Sequence, residues 1–156
     1  MVQLAYYNDP NFGSSGSLPP QVGQETIFTI RWQVTNPGND LNDARITAVL
    51  PEGVTWKNVF SSNLNLRDPT YKKNISEVIW NITTLPNGVG GFMPKYELAF
   101  QISLKPTGAD KDKAADLIRN IQLTGVDSVT KQDIVVRVSD ITTDDLVDRP
   151  HEGTVQ

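Results

Sequence analysis

Hydrophobic and polar residues alternate along most of this chain. Every second side chain is apolar from Glu25 to Thr35, and again from Lys95 to Leu104. A two-residue period predicts β-strands that bury one face and expose the other. The same pattern predicts further strands at 43–50, 54–59, 77–82, 117–126 and 133–139. No segment of the sequence repeats apolar residues with the 3.6-residue period of a sustained helix.

Turn-forming residues separate most of these strands. Asn36-Pro37-Gly38-Asn39-Asp40 follows one strand, and Lys105-Pro106-Thr107-Gly108 follows another. We expect a loop in the polar stretch from Ser61 to Asn74 and one helical turn in the charged stretch from Asp110 to Asp116. Seven or eight short strands joined by turns predict an all-β sandwich, with a closed barrel as the competing architecture.

The length of 156 residues predicts one domain. We expect residues 1–23 to form an N-terminal strand and a Pro/Gly-rich lead-in that belong to the domain. Residues 24–141 are predicted to form the sandwich core. After Asp140 the chain becomes acidic and polar, which predicts a linker or tail over residues 142–156.

Composition excludes several kinds of chemistry. The formal net charge of −4 weighs against nucleic-acid binding, which requires a basic face. The chain has no cysteine, which excludes thiol catalysis, iron–sulfur clusters and disulfides. Its one histidine, His151, lies in the segment expected to be a tail, so the predicted core lacks the usual general base. No stretch approaches the ~20 apolar residues of a membrane span.

Three motifs along the first two thirds of the chain carry a resemblance to a known family. Gln33-Val34-Thr35-Asn36-Pro37-Gly38-Asn39 is similar to the turn after the second strand of DUF11-like immunoglobulin repeats of large bacterial surface proteins. Val49-Leu50-Pro51-Glu52-Gly53-Val54-Thr55-Trp56 resembles the next motif of those repeats. Val78-Ile79-Trp80-Asn81-Ile82, followed by Leu85-Pro86-Asn87-Gly88, resembles a third.

The resemblance implies an immunoglobulin-like antiparallel β-sandwich of seven to eight strands and a structural or adhesive role without catalysis. It implies a spacer or stalk repeat of a cell-wall-attached or secreted protein, with neighbouring domains of the same protein as partners. Because an internal repeat carries no signal peptide, we expect an excised domain of a larger extracellular protein. The loop at Ser61–Asn74 and the insert at Ala109–Asp116 depart from the family pattern.

Calcium is the metal that the acidic residues favour. Asn8, Asp9, Asp127 and Asp140 carry hard oxygen donors near predicted strand ends, as do Asp144 and Asp145. No segment has the spacing of an EF-hand loop. Asp and Asn also cap turns without binding a metal, and this alternative stays open.

A binding module for a glycan or a protein is the alternative function. Tyr6, Tyr7, Trp56 and Tyr71 lie at predicted ends or in loops, where exposed rings stack on sugars or anchor partner proteins. The same residues also suit a structural role, in which they fill the two ends of the sandwich, and the sequence favours that alternative. An enzyme is not expected, because carboxylate pairs such as Asp112 with Asp116 lie in charged stretches.

Overall fold

The computed structural model describes residues 1–64 and 66–156. Ten strands and two short 3₁₀ turns, at Lys73–Ile75 and Gly108–Asp110, make up the regular structure of this part of the chain. The strands are β1 (Val2–Tyr6), β2 (Thr26–Val34), β3 (Leu41–Val49), β4 (Val54–Ser62), β5 (Thr70–Lys72), β6 (Glu77–Leu85), β7 (Tyr96–Leu104), β8 (Asp116–Asp127), β9 (Asp133–Val138) and β10 (Ile141–Thr142).

The strands form two antiparallel sheets that pack as a sandwich. One sheet has the order β1-β2-β7-β4, and we name it the front sheet. The other, the back sheet, has the order β10-β8-β3-β6-β5, with β9 also paired to β8. The predicted immunoglobulin-like β-sandwich is therefore confirmed, and in the described part of the chain each sheet ends in edge strands instead of closing into a barrel.

The core between the sheets is built from the alternate residues that the sequence pattern marked. Phe28, Ile30 and Trp32 of β2 are fully buried, as are Trp80 of β6 and Phe100 of β7. The rings of Trp32 and Phe100 meet edge-on, with centroids 4.9 Å apart. Alternation thus produces the core because successive side chains of a strand point to opposite faces.

Both core indoles also hold peripheral segments in place. Trp32 Nε1 donates a hydrogen bond to Gln3 Oε1 of β1 at 2.7 Å. Trp80 Nε1 donates to the carbonyl of Arg67, in the connection between β4 and β5, at 2.8 Å. A buried indole N–H requires an acceptor, so the two tryptophans fix an edge strand and a connection as well as filling volume.

The structure has more strands than predicted, and the additional ones are short. β5 lies inside the stretch predicted as a loop, of which residue 65 is outside the described residues. β10 has two residues, too few for a period-two pattern to reveal. The helical turn expected at Asp110–Asp116 was wrong: the 3₁₀ turn is at Gly108–Asp110, and Asp116 begins β8. The side chains of Thr107 and Asp110 form a capping box that stabilises this earlier turn.

Residues 142–156, for which the sequence suggests a linker or tail, pack against the sandwich. Leu146 and Val155 are buried among the core side chains, with exposed fractions of 1% and 0%. Thr143 Oγ1 accepts a hydrogen bond from Ala115 N and donates one to Gly153 O. The carboxylates of Asp144, Asp145 and Asp148 accept hydrogen bonds from backbone N–H groups. The acidic residues of this segment therefore do not indicate a free, solvated chain.

Candidate functional site

The edges of the two sheets bring aromatic side chains together on one side of the sandwich. β4 is the last strand of the front sheet, and β5 is the last strand of the back sheet. Trp56 and Phe60 belong to β4, and Tyr71 belongs to β5. The centroid of the Trp56 ring lies 6.0 Å from that of Tyr71 and 6.3 Å from that of Phe60, and both rings are nearly parallel to it. All three residues are half-buried. We name Phe60, Trp56 and Tyr71 the edge aromatic row.

A bulge in β4 separates two members of the row. Trp56 pairs with Ile102 of β7, whereas Phe60 pairs with Phe100, so three residues of β4 oppose one of β7. Asn58 within the bulge has φ of 56°, in the left-handed region. Such a bulge interrupts the row of free backbone groups along an edge strand and discourages edge-to-edge aggregation.

Tyr6 and Tyr7 lie far from the edge aromatic row, at the opposite edge of the front sheet. The Tyr7 hydroxyl donates a hydrogen bond to Gly16 O at 2.8 Å. The centroid of the Tyr7 ring lies 6.4 Å from that of Phe28. The Tyr6 ring centroid lies 6.0 Å from the guanidinium carbon of Arg31. The four predicted ligand residues are therefore brought together only as the pair Trp56 and Tyr71.

A partly buried ion cluster, which the sequence analysis missed, lies on the outer face of the front sheet. Arg31 of β2 binds Asp9 with two hydrogen bonds, from Nε at 2.7 Å and from Nη2 at 2.9 Å. Its Nη1 donates to Glu97 Oε1 of β7 at 2.9 Å. Asp9 Oδ1 also accepts the backbone N–H of Asn11 at 2.8 Å. The cluster ties the loop after β1 to the middle of the sheet.

The electrostatics of Asp9 follow from these contacts. Burial alone would raise the pKa of Asp9, since the carboxylate loses water. The hydrogen bonds and charge of Arg31, with the N–H groups of Asn11 and Phe12, outweigh burial and lower the pKa of Asp9 below its ordinary value of 3.8. Asp9 pairs with a residue 22 positions away, so no local sequence signal indicated this contact.

The residues considered for calcium are not gathered in one place. Asp9 is held by Arg31, and Asp140 Oδ1 accepts the N–H of Asn120 at 2.8 Å. Asp127 caps the turn before β9, where the N–H of Thr130 and the amide of Asn39 lower its pKa. Asn8 donates its backbone N–H to Asp148.

Within 1–64 and 66–156, no group of three acidic or histidine side chains is spaced to hold a metal. Calcium binding stays a prediction, to be checked by titration.

The first and last residues lie at opposite ends of the sandwich. The pair Val34 and Tyr96 marks one end of the front sheet, which we name the amino end. Val2 lies next to this end, because it pairs with Gln33. Gln156 exchanges backbone hydrogen bonds with Pro20 and Val22, at 2.9 and 2.8 Å. Gly23 in turn donates to Pro106, just beyond β7. The last residue therefore lies at the other end, which we name the carboxyl end.

Comparisons with known proteins agree with this architecture. Domains D2 and D3 of the major pilin SpaD from Corynebacterium diphtheriae superpose with a TM-score of 0.52 and 12% identity, covering 91% of this chain and 52% of that one. A variant of BcpA, the major pilin subunit of Bacillus cereus, gives 0.52 and 12% over 90% and 39% of the two chains. The RrgA Jo.In complex gives 0.50 and 12% over 74% and 69%.

These similarities concern the fold. This chain spans about half the length of the SpaD fragment. No protein-family model matches the chain, and no curated protein matches it. The chain is an immunoglobulin-like β-sandwich of the architecture found in these pilin domains. No helix among residues 1–64 and 66–156 is long and apolar enough to cross a membrane.

Proposed function

We propose that this protein is a non-enzymatic structural module, a spacer or adhesive repeat, of a bacterial cell-surface or secreted protein. The observation that carries the proposal is the placement of the chain ends at opposite ends of the sandwich. Modules joined in series through such ends extend the polypeptide instead of folding it back. The pilin-like fold and the DUF11-like motifs of the sequence agree with this role.

The dimensions of the strands suit a spacer. β2 and β7 pair over nine residues each, which corresponds to a sheet about 30 Å long. Along this direction the backbone hydrogen bonds of the paired strands act together. The partners that belong to this proposal are neighbouring domains of the same protein, joined at the amino and carboxyl ends.

Small-angle X-ray scattering of two copies joined in series tests the proposal. We expect the maximum dimension of the tandem to be roughly twice that of one copy, since the strands of each module run along the same axis. A single copy is the matched control. A tandem whose maximum dimension stays close to that of one copy would show a folded-back pair and would contradict a spacer.

Binding through the edge aromatic row is the second candidate function. Its support is the juxtaposition of Trp56 and Tyr71, half-buried rings that the sequence placed among the ligand candidates. Near-parallel aromatic faces at a surface suit the apolar face of a sugar ring or an extended peptide. Glycan-array binding that is lost in Tyr71→Ala and kept in Phe92→Ala, which removes an exposed ring elsewhere, would favour this function. An array without any binder would dismiss glycans as ligands.

A further inference from the structure

The N-terminal strand and the C-terminal segment are directly hydrogen-bonded to each other. Val147 donates its backbone N–H to Ala5 O at 2.9 Å, and Ala5 forms a parallel bridge with Leu146. The Asp148 carboxylate accepts the N–H of Tyr7 at 3.0 Å with Oδ1 and that of Asn8 at 2.8 Å with Oδ2. We name these contacts of Ala5, Tyr7 and Asn8 with 146–148 the terminal clamp.

The carboxylate of Asp148 gives the clamp its strongest bonds. Each oxygen accepts one main-chain N–H, so the side chain continues the parallel pairing beyond Tyr6, where β1 ends. Hydrogen bonds to an ionised acceptor are roughly twice as strong as those between neutral groups. No other carboxylate among the described residues is hydrogen-bonded to backbone N–H groups of residues 5–8.

The far side of the clamp is fixed to the sandwich. The Leu146 side chain is buried, and Ala5 opposite it is fully buried. Further along, Val155 N donates to Lys113 O at 2.9 Å, and Asp112 N donates to Val155 O at 2.8 Å. The segment that carries Asp148 is therefore held at both of its ends, and it cannot follow β1 passively when β1 moves.

The direction of the two segments determines how tension acts on them. β1 runs from the amino end towards the carboxyl end, because Val2 opposes Gln33 and Tyr6 opposes Thr29. The segment at 146–148 is parallel to it. Tension that pulls Met1 and Gln156 apart therefore slides the two segments along their common axis. Sliding stretches all of their hydrogen bonds at once, whereas peeling would break them one after another.

From this geometry we propose that the terminal clamp is a mechanical lock, in which Asp148 couples the two chain ends so that the module resists end-to-end tension. The proposal rests on the spacer function, in which tension enters through both ends. It gives the acidic C-terminal segment the role of closing the sandwich against force. A glycan-binding module without tension would have no use for it.

Single-molecule pulling on the whole chain tests the lock. We compare the wild type with Asp148→Asn, whose amide retains one acceptor oxygen and replaces the other by a donor. Asp145→Asn is the matched control, because Asp145 lies in the same segment and accepts two bonds from Thr142 without contacting β1. Under constant force between the chain ends, we expect Asp148→Asn to shorten the folded lifetime roughly tenfold, and Asp145→Asn to change it much less.

A second pulling axis separates the lock from ordinary stability. The chain has no cysteine, so Ile75→Cys, in the 3₁₀ turn before β6, and Val129→Cys, in the turn between β8 and β9, define a unique pulling axis through two exposed positions. Force applied between these two positions does not pass through the terminal clamp. Along this axis the folded lifetime of Asp148→Asn should therefore be much closer to that of the wild type. Equal shortening along both axes, or none between the chain ends, would overturn the proposal.

Hydrogen exchange of the wild type provides a test that needs no variant. If the lock holds, the amides of Tyr7, Asn8 and Val147 exchange within about tenfold of core amides such as that of Ile30. Exchange roughly a thousandfold faster would mean that the clamp opens by fraying, which excludes a lock. An extended tandem in scattering combined with such fraying would reject the lock and leave the spacer function standing.

Discussion

At the residue scale, the ion cluster of Asp9, Arg31 and Glu97 is notable because the carboxylate of Asp9 is fully shielded from solvent. The side chain of Asp9 has an exposed fraction of 0%, and that of Arg31 has 13%. A buried charge is tolerated when its hydrogen bonds are satisfied, and removing one partner leaves the other uncompensated. The cluster therefore couples the loop after β1 to the sheet, and its contribution depends on ionisation.

Asp9→Asn tests this dependence. We expect the variant to lose about 2–3 kcal/mol in the free energy of unfolding at pH 7, since Arg31 loses a charged partner. Because the folded pKa of Asp9 is lowered, its contribution is present above the unfolded value of 3.8 and is lost as pH falls through the folded pKa. Urea unfolding at neutral pH and at about pH 3 measures the difference, which should shrink in acid. Asp133→Asn, at an exposed site on β9, is the control, and an equal deficit at both pH values would contradict the assignment.

At the element scale, the long strands were predictable because their burial is one-sided. The predicted strands at Glu25–Thr35 and Lys95–Leu104 correspond to β2 and β7, within one residue at each end. The two short strands β5 and β10 were harder to predict, since they have only three and two residues, bury few side chains and have little alternation. The packing of the C-terminal segment was hard to predict for a similar reason: the segment packs through two isolated apolar residues, Leu146 and Val155, within an acidic context.

Val155→Ala tests whether this segment belongs to the cooperative core. The side chain is fully buried, so we expect a loss of about 2 kcal/mol from lost burial and the cavity left behind. Val147→Ala, nearby in the segment but with a side chain that is 49% exposed, should stay within ~0.5 kcal/mol of the wild type. Chemical denaturation followed by tryptophan fluorescence measures both. Equal, negligible effects would mean that the segment is a loosely attached tail.

At the scale of the whole molecule, the two chain ends lie at opposite ends of the sandwich, while the N-terminal strand and the C-terminal segment are hydrogen-bonded to each other. Gln156 pairs with Pro20 and Val22 at the carboxyl end, while β1 begins at the amino end. Tension applied to the ends therefore crosses the full length of the sandwich. Since the C-terminal segment is hydrogen-bonded both to β1 and to the residues just before β8, we expect the 156 residues to unfold as one cooperative unit.

The length released on forced unfolding measures the size of this unit. For 156 residues at about 3.6 Å each, less the folded length, we expect a single contour-length gain of about 50 nm. A unit that excluded residues 142–156 would release about 5 nm less. Repeated single-molecule extension of a tandem resolves this difference, and two smaller steps in place of one would contradict a single unit.

The sequence by itself determined an all-β fold, because period-two alternation marks the buried face of each long strand wherever that strand is placed. The choice between a two-sheet sandwich and a closed barrel came from the pairing of the strands in the tertiary structure. The sequence also determined that disulfides and thiol chemistry are absent, since the chain has no cysteine, and that its one histidine lies near the end of the chain. Only the tertiary structure decided that Asp9 meets Arg31, that Trp56 meets Tyr71, and that Asp148 joins the last segment to the first strand. These contacts join residues far apart in the sequence, and no local pattern records which distant backbone groups a carboxylate or a ring will reach once the sheets have packed.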